Sequence, residues 1–270
     1  MFVYQSRFLT RGEVWFENKP KAARVDWILY RNRSSPVPGA RWRYFYNRLI
    51  DLSKSPDGLL SEMEPKTVAK IESAGKDNLS CQWCQLSHRT QLDEIELSWN
   101  QSTEAKRRWG QLNRAWLGEM ISAGALEIAT ARDPSGALLV YAGLFRDKHR
   151  VQQLLTVSPR PAELAPTVRA KTNRASCFLL WKTMLRLKEQ GIQWFDFGGW
   201  YPGSDDIQLL GANAFKKGFG GEVIREFECE QILTLKGWVL LRLARFMARA
   251  KEFRFGKFSI WDVHPNEATA

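Results

Sequence analysis

The residues of this chain best suited to chemistry lie between Thr172 and Val223. One acid, Asp196, interrupts the apolar run IQWFDFGGW at 192–200, and two lysines, Lys216 and Lys217, follow Phe215 in NAFKKGFGGEV. A carboxylate in an apolar strand has two uses. It accepts neighbouring backbone N–H groups, here those of Gly198 and Gly199, or it orients a substrate amine; the structural use is the expected one. The glycines after Asp196, and Gly218, Gly220 and Gly221 after the lysines, let a ligand or a second backbone come close. A lysine pair on a helix is ordinarily a solvated face, but this pair sits one turn before those glycines and suits an anion or a developing negative charge. Trp200 and Tyr201, next to the first glycine pair, are assigned to the substrate.

A second cluster lies just upstream. Arg169, Lys171 and Arg174 surround Asn173, which reads as the N-cap of a helix over 173–190. A helix N-terminus offers free N–H groups and a positive dipole end, so this basic turn suits a phosphate or pyrophosphate. Lys217 is grouped with these four as donor-binding. Cys81 and Cys84, with His88 nearby, look like half of a zinc site, but no second ligand pair of suitable spacing follows. No metal is expected.

The elements that must position these residues follow from pattern. Residues 2–9 and 13–17 read as strands joined at Arg11–Gly12, Val25–Tyr30 as a strand, and 31–43 as a basic loop. A strand over Tyr44–Leu52 leads to two short helices, the first begun by Ser55–Pro56 and the second ended by Gly75. Leu79–Gln85 alternates as a strand, and Thr103–Ala123 reads as one long helix with Trp109, Leu112, Trp116 and Met120 in its stripe. Three strands, Leu126–Ala131, Ala137–Phe145 and Val151–Val157, form an antiparallel meander. Then come the helix 173–190, a central strand over 192–200, and a helix 205–218 capped by Asp205. That last helix should bury Ile207, Leu210, Gly211, Ala214, Phe215 and Gly218 and send Lys216 and Lys217 outward. Lys236–Phe253 reads as an amphipathic helix with Arg242, Arg245 and Arg249 on one side; it could lie on an anionic membrane surface or against RNA, but a helix packed on the domain with its arginines in water is the expected reading.

Composition bounds the partners. The chain has 270 residues and a formal net charge of +11, which favours nucleic acid, a phosphorylated cofactor or glycan, or an anionic membrane surface. No apolar run approaches the ~20 residues needed to span a bilayer. Four cysteines and the absence of a secretory pattern at the N-terminus point to a cytoplasmic setting, with peripheral contact to the inner membrane face left open.

FDFGGW followed by NAFKKGFGGEV resembles the C-terminal part of Fem-type (FemAB/FemX) peptidyltransferases and their GNAT-fold relatives. The helix ahead of FDFGG fits the same pattern, and LIDLSKSPDGLLSEMEPKTVAKIESAG at 49–75 is similar to the family's strand-then-helix segment. The likeness covers most of 44–230. It implies an α/β (α+β) fold with a GNAT-like mixed, mostly antiparallel sheet flanked by helices. The division it implies is a reduced lobe over 1–75, an acyltransferase domain over 76–234, and a basic helix and tail over 235–270. It also implies transfer of an acyl or aminoacyl group to an amine of a small molecule, sugar or cell-envelope glycan precursor, without a covalent enzyme intermediate. The donor would be acyl-CoA or aminoacyl-tRNA, used as a co-substrate with no permanently bound cofactor. Phe215 and Lys216 match the motif's Phe and Lys, and Lys216 would stabilise developing charge or the donor's phosphates.

The chain departs from the family in three ways. It has room for one full GNAT-like unit rather than two, it lacks the helical arm, and 158–173 contains no glycine where an R/Q-x-x-G-x-G/A loop would sit. Both donors therefore stay open. So does a reading from a different class: a non-catalytic module of this fold that binds RNA or an anionic membrane through its basic, aromatic-rich segments.

Overall fold

The computed structural model describes residues 1–6, 8–20, 23–104, 112–158, 166–243 and 246. In chain order the elements are β1 (Phe2–Ser6), β2 (Leu9–Trp15), β3 (Trp27–Arg33), β4 (Arg41–Asp51), α1 (Pro56–Glu62), α2 (Pro65–Gly75), β5 (Ser80–Gln85) and α3 (Leu92–Glu104). They continue as α4 (Arg114–Ser122), β6 (Leu126–Arg132), β7 (Leu138–Arg146), β8 (Arg150–Val157), α5 (Pro166–Glu189), β9 (Trp194–Gly199), α6 (Ile207–Lys217) and β10 (Glu222–Ile232). Two compact units result: Met1–Phe45 with Arg225–Ala270, and Tyr46–Ile224. These boundaries are drawn differently from the division at 75 and 234, because β10 pairs with β3 of the first strands.

In the first unit β1 pairs antiparallel with β2, β2 runs parallel to β3, and β3 pairs antiparallel with β10. The turn of the first hairpin lies between Ser6 and Leu9, and Gly12 sits inside β2 opposite Val3. Arg11–Gly12 is therefore strand, not turn. Val14, Val25, Ile28, Tyr30 and Cys229 form a small core. Beside it Glu13 is fully buried, accepts from Tyr4 Oη at 3.0 Å and pairs with Arg31, which also donates to Glu228 at 2.9 Å. Buried carboxylates persist because each has a charged partner. Residues 31–33 and 41–43 extend β3 and β4, so only 34–40 is loop where 31–43 was expected to be one.

The second unit is the larger, and its sheet is mixed and mostly antiparallel. β5, β6, β7 and β8 make the expected meander, β8 meets β9 in parallel, and β9 pairs antiparallel with β4. The turn RDPSG works as its residues require. Asp133 Oδ1 accepts from the N–H of Ser135 at 3.0 Å and of Ala137 at 3.1 Å, and Gly136 takes φ 82°. β7 is apolar almost throughout because both its faces are covered. Val140, Ala142 and Leu144 join the main core with α5 residues Leu180, Met184 and Leu187. Tyr141 donates to the Ile95 carbonyl of α3 at 2.6 Å. α5 packs against α2, β6 and β7, and helices thus flank the sheet.

Two helices start where the pattern did not place them. The single helix expected over 103–123 is replaced by α3, which begins at Leu92, and α4, which Asn113 caps by accepting from Trp116 N at 3.0 Å. Trp109 lies outside the described residues. α5 begins at Pro166, so Asn173 lies inside the helix, about two turns past its start, and caps nothing. Among the described residues no helix is long and apolar enough to cross a membrane.

Candidate active site

β9 carries the first site residue. Its register against β4 runs Asn47↔Gly199 and Leu49↔Asp196, so β9 spends one extra residue where β4 spends none. This is a bulge, and Gly198 takes it with φ +70°. An added Cβ there would lie 3.2 Å from the Gln153 carbonyl oxygen. Asp196 is fully buried and satisfies the bulge: its Oδ1 accepts from Gly198 N at 2.7 Å. Its Oδ2 accepts from Arg150 Nη2 at 2.6 Å. The acid is thereby committed to backbone geometry and to one guanidinium, as its structural reading required.

α6 carries the second. Asp206, not Asp205, caps it, accepting from the N–H of Gln208 and of Leu209, each at 3.0 Å. The expected inward face holds only at its end, where Phe215 packs on the core and Gly218 is buried. Ile207 is 85% exposed, and Leu210, Gly211 and Ala214 lie outward as well. Beside Phe215, the inward residues are polar. Asn213 is buried and exchanges two hydrogen bonds with the backbone of Tyr201, at 3.1 and 2.7 Å. One turn on, Lys216 points inward rather than to solvent, and its Nζ donates to the carbonyls of Gly198, at 3.4 Å, and Gly199. Burial pushes its ammonium down to about 8, against the upward pull of Asp196. A desolvated lysine is thus held over the end of β9.

The third feature is a break in the pairing of the sheet. β8 and β9 pair only as Arg150↔Trp194, Val151↔Phe195 and Gln152↔Asp196. Beyond that point Gln153–Val157 pairs with β7 and Gly199 with β4, so the ladder between the two parallel strands stops there. β8 is bulged at the same place: Gly143 faces Leu155 and Leu144 faces Gln153, leaving Leu154 without an opposite residue. Where the pairing stops, Gln152 is buried, and the Oε1 atoms of Gln152 and of its neighbour Gln153 accept no hydrogen bond within the protein. Buried amide oxygens of this kind are met by water or by a ligand.

The remaining expected residues divide. Phe215 joins the core through Phe219 at 5.4 Å, and Phe219 reaches Phe197 at 5.1 Å, so Phe215 packs the motif. Lys217 turns away from Lys216 into a cavity of about 320 Å³ shared with Arg48, Lys54, Glu62, Glu64 and Glu222. Trp200 donates its N–H to the Tyr46 carbonyl at 2.6 Å, and Arg48 lies 5.1 Å from its ring. Tyr201 donates its hydroxyl to Asp205. In α5, Lys171 pairs with Asp133 at 2.9 Å and Arg174 with Asp77 at 3.3 Å, while Arg169 and Asn173 are exposed. Arg169 lies in the first turn of α5, while Lys171, Asn173 and Arg174 lie beyond it, so the N-cap at Asn173 on which the expected phosphate site was centred is not there.

Sequence reasoning missed Arg48, Arg150, Gln152, Gln153 and Asn213. The adjacent glutamines in VQQLL, and the asparagine one turn before Lys216, were the signals available. Arg48 carried none: its Nε–H donates to the Gly220 carbonyl at 2.6 Å and Nη2 to that of Gly221 at 3.0 Å, across most of the chain. Among the described residues no group of three or more His, Cys, Asp or Glu side chains is placed to hold a metal.

No protein-family model matches the sequence, and no curated protein matches it. Solved structures do. The crystal structure of FemX superposes with a TM-score of 0.56 at 16% identity, over 73% of this chain and 63% of FemX. The C-terminal domain of a putative lysylphosphatidylglycerol synthetase from Agrobacterium fabrum superposes with a TM-score of 0.50 at 16% identity, over 82% of this chain and 72% of that one. The chain therefore has the fold of FemX, with the mixed, mostly antiparallel sheet flanked by helices that the resemblance implied.

Proposed function

We propose that the protein transfers an acyl or aminoacyl group from an activated donor to an amine. The single observation that carries this reading is the end of the β8–β9 pairing at Gln152↔Asp196, beside the inward-facing Lys216. A donor arm built from amide groups, such as the pantetheine chain of an acyl-CoA, would lie along the edge of β8 that β9 leaves uncovered and exchange hydrogen bonds with its backbone, much as an added strand does. The ester end of an aminoacyl-tRNA is the other donor of suitable reactivity. Acceptors are the amines of a small molecule, a sugar or a cell-envelope glycan precursor.

The neutral amine attacks the donor carbonyl, forming a C–N bond and a tetrahedral oxyanion. Collapse breaks the C–S or C–O bond, and the amine's proton leaves with the thiol or the ribose hydroxyl. Positioning supplies most of the acceleration, and donors aimed at the oxyanion supply the rest. Lys216 is the catalytic residue in this scheme. Held near 8, it stays mainly protonated at neutral pH and presents a cation at the end of β9. Asp196 and Arg150 are positioning residues, which hold Gly198 and hence the carbonyls that Lys216 spans. Trp200 and Tyr201 stand at the same strand end, on the acceptor side.

The test is equilibrium binding of acetyl-CoA, a long-chain acyl-CoA and an aminoacyl-tRNA to the wild type and to Lys216→Met, followed by turnover with amine acceptors. Saturable binding of one donor class by both proteins, with turnover lost in Lys216→Met, is the expected result. A folded wild type that binds neither class refutes the proposal.

A further inference from the structure

The end of the first unit carries an apolar surface that the transferase reading does not use. Thr234 anchors it. Its hydroxyl donates to Asp26 Oδ1 at 2.7 Å and accepts from Gly237 N at 3.0 Å, starting a helix over residues 235–243. Gly237 is the inward position, since an added Cβ would lie 2.7 Å from the Asp26 carbonyl oxygen. The opposite face points outward, and it is apolar where a packed helix would be polar. Leu235 is 78% exposed, Trp238 45% and Phe246 72%, with Val239 and Leu243 beside them. The expectation of a helix with its apolar side packed and only its arginines in water is thus overturned for this stretch.

The charge on the segment is one-signed. Residues 232–251 contain Lys236, Arg242, Arg245, Arg249 and Lys251 and no acid. Arg242 emerges within the apolar face with its guanidinium 4.4 Å from the Trp238 ring. Its stem can therefore lie along the apolar side chains while its charge reaches the headgroup level. Beside the helix start, Ile232, Leu233, Leu235 and Trp238 line an open groove of about 400 Å³. An RNA site would need flat aromatic faces along a cationic track. A face of Leu, Val, Phe and one Trp, with Arg242 emerging from it and Lys236 beside it paired to Asp26 at 3.6 Å, has the composition of a helix that lies in a bilayer interface.

We infer that this segment docks the protein on an anionic lipid surface, with Leu235, Trp238, Val239, Leu243 and Phe246 among the acyl chains and Arg242 at the headgroups. The docking is independent of acyl transfer and stands or falls without it. The test is co-sedimentation of the full chain with vesicles of phosphatidylglycerol and phosphatidylcholine in equal parts, and with phosphatidylcholine alone. The expected result is binding to the anionic vesicles that weakens as salt is raised, with far weaker binding to the neutral ones. Leu235→Asp and Phe246→Asp should each lower that binding by about tenfold or more at an unchanged Tm. Arg242→Gln, which leaves the apolar face intact, should lower it by about fivefold. No vesicle binding by the wild type overturns the inference. So does binding to RNA with none to vesicles, or a dimer that Leu235→Asp converts to monomer without any vesicle affinity.

Discussion

Replacing Lys216 by Met separates what this side chain costs the fold from what it does. The ammonium gives up water to sit over β9, and its pKa falls from 10.5 to about 8. That difference corresponds to about 3 kcal/mol of destabilisation of the charged form. Against it stand hydrogen bonds to the Gly198 and Gly199 carbonyls, which leave those acceptors unmet when the lysine is removed. At pH 7 the two effects nearly cancel, and Lys216→Met should change stability by less than about 1.5 kcal/mol. The pH dependence is more telling. Because the folded-state value lies below the unfolded one, the penalty is fully present below pH 8 and is relieved as pH rises between the two values. The wild type should therefore gain about 1.3 kcal/mol relative to Lys216→Met between pH 7 and pH 9. Taking the difference between the two proteins cancels the other titrating groups. Urea unfolding of both proteins at those two pH values measures it. A difference that stays flat with pH would mean that Lys216 is solvated, and the desolvated-cation account of the site would be wrong. In the enzyme assay the same lysine should give a turnover that declines as pH rises through about 8, where the cation is lost.

Other perturbations read the frame around it. Asp196→Ala leaves the part-buried Arg150 without its carboxylate and unties Gly198 N, so it should cost roughly 2–4 kcal/mol by urea denaturation, and Asp196→Asn less. Gly221→Ala should fail to fold or lose a large part of its Tm, because φ is +71° and the new Cβ would lie 2.2 Å from the Leu49 carbonyl oxygen. Gly211→Ala should do the reverse. It sits in the exposed face of α6 with nothing within 4 Å of an added Cβ, and should stabilise by about 0.5–1 kcal/mol, seen as a small rise in Tm.

Much of the frame was legible because its causes are local. Ser55 caps α1, accepting from Gly58 N at 3.1 Å, as a hydroxyl before proline should. The meander of β6, β7 and β8 follows from alternating or continuous apolar runs broken by RDPSG, and Asp196 was readable as the acceptor for a glycine beside it. The orientation of α6 was not legible, although its period was. A helical repeat states which residues share a face, but which face turns inward depends on what waits there. Here the end of β9 presents the open carbonyls of Gly198 and Gly199, and the backbone of Tyr201 needs partners. Buried polar groups must be met, so Asn213 and Lys216 face inward and Ile207 and Leu210 are left outside. The end of the β8–β9 pairing was hidden for a related reason. Strand pairing is a relation between segments more than forty residues apart, and neither segment records where the pairing stops.

By itself, the sequence determined the kinds of element, their order, the positions that only glycine can hold, and a surplus of positive charge in search of anionic partners. These depend on local sterics, on short-range capping and on simple charge balance. Only the tertiary structure decided that Lys216 faces inward rather than solvent, that Asn173 lies inside a helix and caps nothing, that the pairing of β8 with β9 stops at Gln152, and that the helix over 235–243 turns its apolar face outward. Each of those depends on which distant backbone or side chain occupies the neighbouring space, and that is set when the chain closes on itself.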